Sequence, residues 1–150
     1  MRTIIIKLSG GIGNQIFQYL FGVSQFKRRD TELLFDVTDC LLSNGRGFSL
    51  HNLGITGNFF QCERNIIDFG GQTYIELSNL NWISQVLETL DSTITAKLIR
   101  ENSITYDPSI IEYGHNAYYD GYWQSFHYWN KDLATIDELE TQLTNSTLSL

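Results

Sequence analysis

Ile4-Ile5-Ile6-Lys7-Leu8-Ser9-Gly10-Gly11-Ile12-Gly13-Asn14-Gln15-Ile16-Phe17-Gln18-Tyr19-Leu20-Phe21-Gly22 joins three signals in one run. An apolar, β-branched segment up to Leu8 reads as a buried strand, and the residues after Gln15 are apolar at helical spacing. Between them lies a glycine turn. Glycines let backbone approach a bound group closely, and the free N–H groups of a helix's first turn favour an anion, so a phosphate-bearing ligand suits this turn. A glycine turn that only lets a strand and a helix pack together explains the same letters. Asn14 would serve as the helix cap in that plainer reading, which leaves Gln15 without a task.

Gly10-Gly11-Ile12-Gly13-Asn14-Gln15-Ile16-Phe17-Gln18-Tyr19 resembles the N-terminal signature of the bacterial α-1,2-fucosyltransferases, GGLGNQMFQYA. Far downstream, Gly121-Tyr122-Trp123-Gln124-Ser125-Phe126-His127-Tyr128-Trp129 is similar to that family's GYFQSEKYF segment. The resemblance implies the N-terminal portion of a galactoside 2-alpha-L-fucosyltransferase. The expected fold is α/β, a Rossmann-like parallel sheet with flanking helices, as in the N-terminal half of a GT-B glycosyltransferase. The implied reaction moves fucose from GDP-fucose to the 2-hydroxyl of a terminal galactose, with inversion. GDP-fucose is then a donor substrate, a galactoside glycan is the acceptor, and no cofactor or metal is implied. Gly10, Gly11 and Gly13 would allow backbone approach, Asn14 and Gln15 would offer amides to sugar or diphosphate, and Tyr122, Gln124 and Ser125 would lie near the acceptor. The family's His-x-Arg-Arg-x-Asp motif does not occur in the sequence, so residues 1–150 are expected to be the N-terminal domain without the C-terminal donor-binding domain.

Bulk properties narrow the partners. The composition, 42% hydrophobic and 18% charged over 150 residues, is that of one globular domain. Seventeen acidic against ten basic residues give a formal net charge of −7, which argues against nucleic acid. Lys27-Arg28-Arg29 reads as a helix end, where cations face the helix dipole. Cys40 and Cys62 match neither zinc nor redox spacing and are expected as reduced, structural thiols. Lys7 interrupts the first apolar run short of a signal-peptide core, and no segment is apolar enough to span a membrane. The expected location is cytoplasmic, with peripheral contact to a membrane left open. Asn145-Ser146-Thr147 fits a glycosylation pattern but has no secretory context.

Along the chain, a helix is expected over about Asn14 to Arg28, with Ile16, Leu20 and Val23 on one face. Thr31 to Val37 follows as the parallel neighbour of the first strand. That order puts Asp36 where a dinucleotide-binding fold keeps its ribose-binding acid, so an NAD-type domain is the chief rival. Against it, the fingerprint's third glycine is Ile16 here. A non-catalytic carbohydrate-binding or vestigial domain is the other alternative. Asp39 to Gly57 reads as irregular, with a turn at Ser43 to Gly47. Arg46 is a candidate to meet an acidic or sugar ligand, against the plainer reading of a solvated or ion-paired arginine. His51 has no assignable role.

Gln72 to Leu77 reads as a short strand, and Asn79 or Asn81 as the cap of a helix through Leu90 with Trp82, Ile83, Val86, Leu87 and Leu90 as its apolar stripe. Residues 94 to 100 fit either a strand or a helical turn. From Tyr118 to Trp129 six of the twelve residues are tyrosine or tryptophan, a composition that suits sugar faces and core packing alike. Asn130 to Thr144 reads as a final helix, and Asn145 to Leu150 as the start of something β-like.

Overall fold

The computed structural model describes residues 2–42, 44–84, 93–111 and 115–129, together with 137, 140, 141 and 144. The first three elements follow the sequence closely. Strand β1 (Arg2–Lys7) leads through the glycine turn into helix α1 (Ile12–Phe26), and strand β2 (Thr31–Asp36) returns parallel to β1 with Lys7 opposite Asp36. Helix α1 buries Leu20, Phe21, Val23 and Phe26 against Ile4, Ile6 and Phe35 of the sheet. Gly22 is the point of closest approach, since a Cβ there would lie 2.8 Å from Ile6 Cγ1.

Beyond β2 the architecture departs from the expected Rossmann-like sheet. Strands β3 (Phe59–Phe69) and β4 (Gln72–Ser84) form a long antiparallel hairpin, and β5 (Ile94–Arg100) and β6 (Ala117–Asp120) complete a closed barrel in the order β1-β2-β3-β4-β5-β6. Pairing is parallel at β1–β2, β2–β3, β5–β6 and β1–β6, and antiparallel at β3–β4 and β4–β5. The expected open parallel sheet flanked by helices is therefore corrected to a closed mixed barrel, with α1 the one α-helix bounded among the described residues.

The cause lies in the hairpin. Gly70 and Gly71 take φ of +61° and +79°, the paired positive values that a two-residue turn between twisted strands requires. Residues 79–84, expected to begin a helix, continue β4 instead, with Leu80 and Trp82 turned to the core and Asn79, Asn81 and Ile83 to solvent. This period of two wins over the helical spacing because Phe60 and Gln61 hydrogen-bond alongside as a strand. The rest of that expected helix, 85–90, lies outside the described residues, as do 145–150. The expected final helix does so too, save that Asp137, Glu140, Thr141 and Thr144 are helical. Residues 94–100 are strand.

Alternation sorts the core in two. Ile5, Leu34, Phe60, Ile75, Leu77, Ile94, Ala96 and Tyr118, drawn from all six strands, fill the barrel. The opposite faces of β1, β2 and β6 meet α1 and the aromatic segment that follows β6, where Trp123 stacks on Phe21 with ring centroids 4.2 Å apart. No described helix is long and apolar enough to cross a membrane.

Candidate functional site

The two segments that carry the family resemblance meet in space at the carboxyl end of β1 and β6. Gly10 takes φ +74°, turning the chain out of β1. Gly11 then stands at the N-terminus of α1 with no side-chain cap, and the first turn holds no acidic residue. Asn14 is thus not the cap that the sequence suggests. It lies one turn in, where its Oδ1 accepts from Gln124 Nε2 at 2.9 Å. Gly13 faces open space. The Arg46 guanidinium lies over Gly11, since a Cβ on that glycine would come within 3.3 Å of it. Arg46 is exposed and forms no ion pair with any described residue.

Gln15 departs from its expected role. It is fully buried, donates from Nε2 to the carbonyls of Gly10 (3.0 Å) and Gly47 (2.9 Å), and accepts from Ser49 N at Oε1 (3.2 Å). Both N–H donors of its amide and one acceptor position of Oε1 are spent on backbone, so the buried side chain clamps the glycine turn to the 46–49 loop rather than facing a ligand. Gln18, to which the sequence assigns no role, does the same for the second segment. Its Nε2 donates to Ser9 Oγ (3.1 Å) and Gly121 O (2.9 Å), and its Oε1 accepts from Ser9 N (2.9 Å). Farther along α1, Gln25 Nε2 donates to Tyr128 O at 2.6 Å. One face of the helix is a ladder of amides that holds both segments.

In the second segment Tyr122 is 48% exposed and Gln124 is exposed, while Trp123 between them is fully buried. Ser125 is half-buried and starts a short 3-10 turn over Phe126–Tyr128, its carbonyl accepting from Tyr128 N at 3.0 Å. Of the eight expected site residues, Asn14 and Gln124 meet at one accessible edge, with Gly11 and Gly13 beside Asn14 at the start of α1 and Tyr122 exposed two residues before Gln124. Gly10 and Gln15 shape it from beneath.

A charged network lies beside this edge, at the mouth of the barrel. Lys7 Nζ reaches Asp39 Oδ2 (3.1 Å) and Asp120 Oδ1 (3.4 Å), and Arg64 binds Asp39 and lies 3.8 Å from Asp36 Oδ2. Partial burial pushes the Asp39 carboxyl up, but Arg64 and Lys7 outweigh it and hold this group below its ordinary range. Tyr118 donates to Asp36 Oδ2 at 2.7 Å, and burial, helped by the Asp36 charge, holds its phenol well above the usual value. The thiols follow suit. Burial and the neighbouring carboxylates push Cys62 up to about 12 and Cys40 to about 11, and both are free.

Asp36 itself is fully buried, with Thr38 on one oxygen and Tyr118 on the other. A ribose has no access to it, which removes the residue on which the dinucleotide reading leaned. The network was not legible as such. In the sequence Lys7 reads only as a break in an apolar run, and nothing next to Arg64 marks the strand that carries it.

Comparison with family models, with characterised proteins and with solved structures returned no match.

Proposed function

We propose that this chain forms the phosphate- and acceptor-facing part of a transferase that moves fucose from GDP-fucose to the 2-hydroxyl of a terminal galactose. The observation that carries the reading is the bare N-terminus of α1. Its first turn has no side-chain cap and no acidic residue, and Arg46 stands over Gly11 with no ion-pair partner among the described residues. A cation at the positive end of a helix is unfavourable on its own and favourable once an anion lies between the two. A diphosphate meets that need. In the transfer the acceptor O2 gives up its proton to a base or to solvent and bonds to the fucose anomeric carbon as the bond to the GDP oxygen breaks, and the electron pair of that bond leaves with the diphosphate, where charge grows. Preorganised N–H groups and a guanidinium stabilise that charge without reorganising.

The sugar side is supported by Asn14 and Gln124, whose amides meet at one edge, and by the exposed phenol of Tyr122 two residues before Gln124. An aromatic ring with a polar tip suits a galactose, with its apolar C–H face and its hydroxyls. The resemblance of both segments to the fucosyltransferase signatures supplies the donor and the linkage. Incubation with GDP-fucose and lactose, followed for GDP release and fucosyl-lactose, tests the reading directly, alongside ligand-observed NMR with each compound. Transfer, or binding of both GDP and lactose, supports it. Lactose binding without GDP binding or turnover would make the chain a carbohydrate-binding module instead, and binding of neither overturns the proposal.

A further inference from the structure

Glu101 is the residue after β5, and the parallel register that puts Arg100 opposite Asp120 brings it beside Gly121. Its own amide donates to Asp120 O at 3.0 Å, adding one more rung to the β5–β6 ladder. Its carboxylate then turns onto the chain leaving β6. Oε1 accepts from Tyr122 N at 3.1 Å, and Oε2 accepts from Trp123 N at 3.2 Å. Successive backbone N–H groups that converge in this way make an anion cradle. Here a side chain from the neighbouring strand fills it.

Trp123 adopts φ +56°, a region that bulky residues rarely enter and that costs backbone strain. Two things hold it there: the Glu101 carboxylate on its amide and the stack of its ring on Phe21. Gly121 completes the lock, because a Cβ would lie 2.6 Å from Glu101 Cβ and 2.9 Å from the Trp123 ring. With Trp123 forced inward, its two neighbours are thrown outward. Tyr122 becomes half-exposed and Gln124 reaches Asn14.

We propose that Glu101 is a positioning residue of the sugar-facing edge, acting through the Tyr122 and Trp123 amides to set where Tyr122 and Gln124 meet a galactoside. The inference rests on the acceptor reading of this segment given above. A carboxylate in this position does what a loop of free glycines and polar residues cannot: it fixes one conformation before the ligand arrives, so ordering is not charged against binding.

The test titrates wild type, Glu101→Ala, Glu101→Gln and Glu101→Asp with lactose and, separately, with GDP, following 1H–15N spectra. Glu101→Ala should weaken lactose about tenfold, through the loss of charge-assisted hydrogen bonds. It should also move the Tyr122 and Trp123 amide resonances and leave GDP affinity within about twofold, because the helix terminus is untouched. Glu101→Gln keeps an acceptor oxygen and should recover to within about threefold of wild type. Should Glu101→Ala fail to fold, Glu101→Asp, which draws the carboxylate back by one methylene, is expected to weaken lactose with the same amide shifts. A folded variant with unchanged lactose affinity, or one whose loss extends equally to GDP, overturns the role of Glu101 while the site reading stands. Wild type that binds neither probe overturns both.

Discussion

Gln124 Nε2 donates to Asn14 Oδ1 at 2.9 Å, joining residues 110 positions apart and closing the accessible edge between helix α1 and the segment after β6. Both side chains are polar and reach solvent, so the bond holds a surface in register rather than a core together.

Asn14→Ala and Gln124→Ala should therefore each cost little stability, about 0.5–1.5 kcal/mol, and the double variant should cost less than the sum. Urea denaturation of the four proteins gives the coupling. Lactose titration of the same set should show each variant weakened more than its stability loss explains.

Gln15→Ala belongs to another class. It strips the Gly10 and Gly47 carbonyls and the Ser49 amide of a partner in a buried place, and should destabilise by about 2–3 kcal/mol. Gln15→Glu should be no better, because a carboxylate has no N–H to give the two carbonyls. Denaturant midpoints decide between this structural role and the ligand-facing role the sequence suggested.

Arg46→Ala should leave the unfolding midpoint near that of the wild type, since the side chain is exposed and unpaired among the described residues, and should weaken GDP about tenfold. The same variant should bind lactose unchanged. Calorimetry with the two ligands separates these outcomes.

The charged mouth of the barrel gives the stability curve two slopes. Asp39 is held below its unfolded pKa, so the unfolded state binds more protons as the solution becomes acidic. That contribution is present above about pH 4 and falls away as pH drops through the folded value. Cys62 runs the other way. Its thiol stays protonated in the fold up to about 12 but ionises near 9 when unfolded, so stability declines as pH rises between those values. Thermal unfolding across pH, repeated with Asp39→Asn and Cys62→Ala, should flatten the acid and alkaline limbs respectively.

Legibility in the sequence followed the range of the interactions. Strand β1, helix α1 and β2 could be read because apolar period and glycine punctuation act within a few residues, and the parallel return follows from chain order. The β3–β4 hairpin carries its own local signal, Gly70-Gly71 between Ile66-Ile67 and Tyr74-Ile75, which outweighs the helix-like spacing of Trp82 and Ile83. Barrel closure left no such mark, because it depends on β6 pairing with β1 more than a hundred residues away. Site residues divided in the same way. The glycines and Asn14 announced the turn, yet nothing local showed that Gln15 would be consumed by Gly47, or that Glu101 would cap Tyr122 and Trp123.

The seam between β1 and β6 also governs how the chain comes into being. Strand β1 is synthesised well before its partner along that seam, Ala117–Tyr119, which follows more than a hundred residues later. At elongation rates of roughly 5–20 residues per second, β1 keeps one unsatisfied edge for several seconds. An apolar strand waiting that long is an invitation to pair with a neighbouring nascent chain. Early packing of α1 covers one face of β1 but not that edge, so yield in cell-free synthesis should rise when holdase chaperones are added during translation rather than after it.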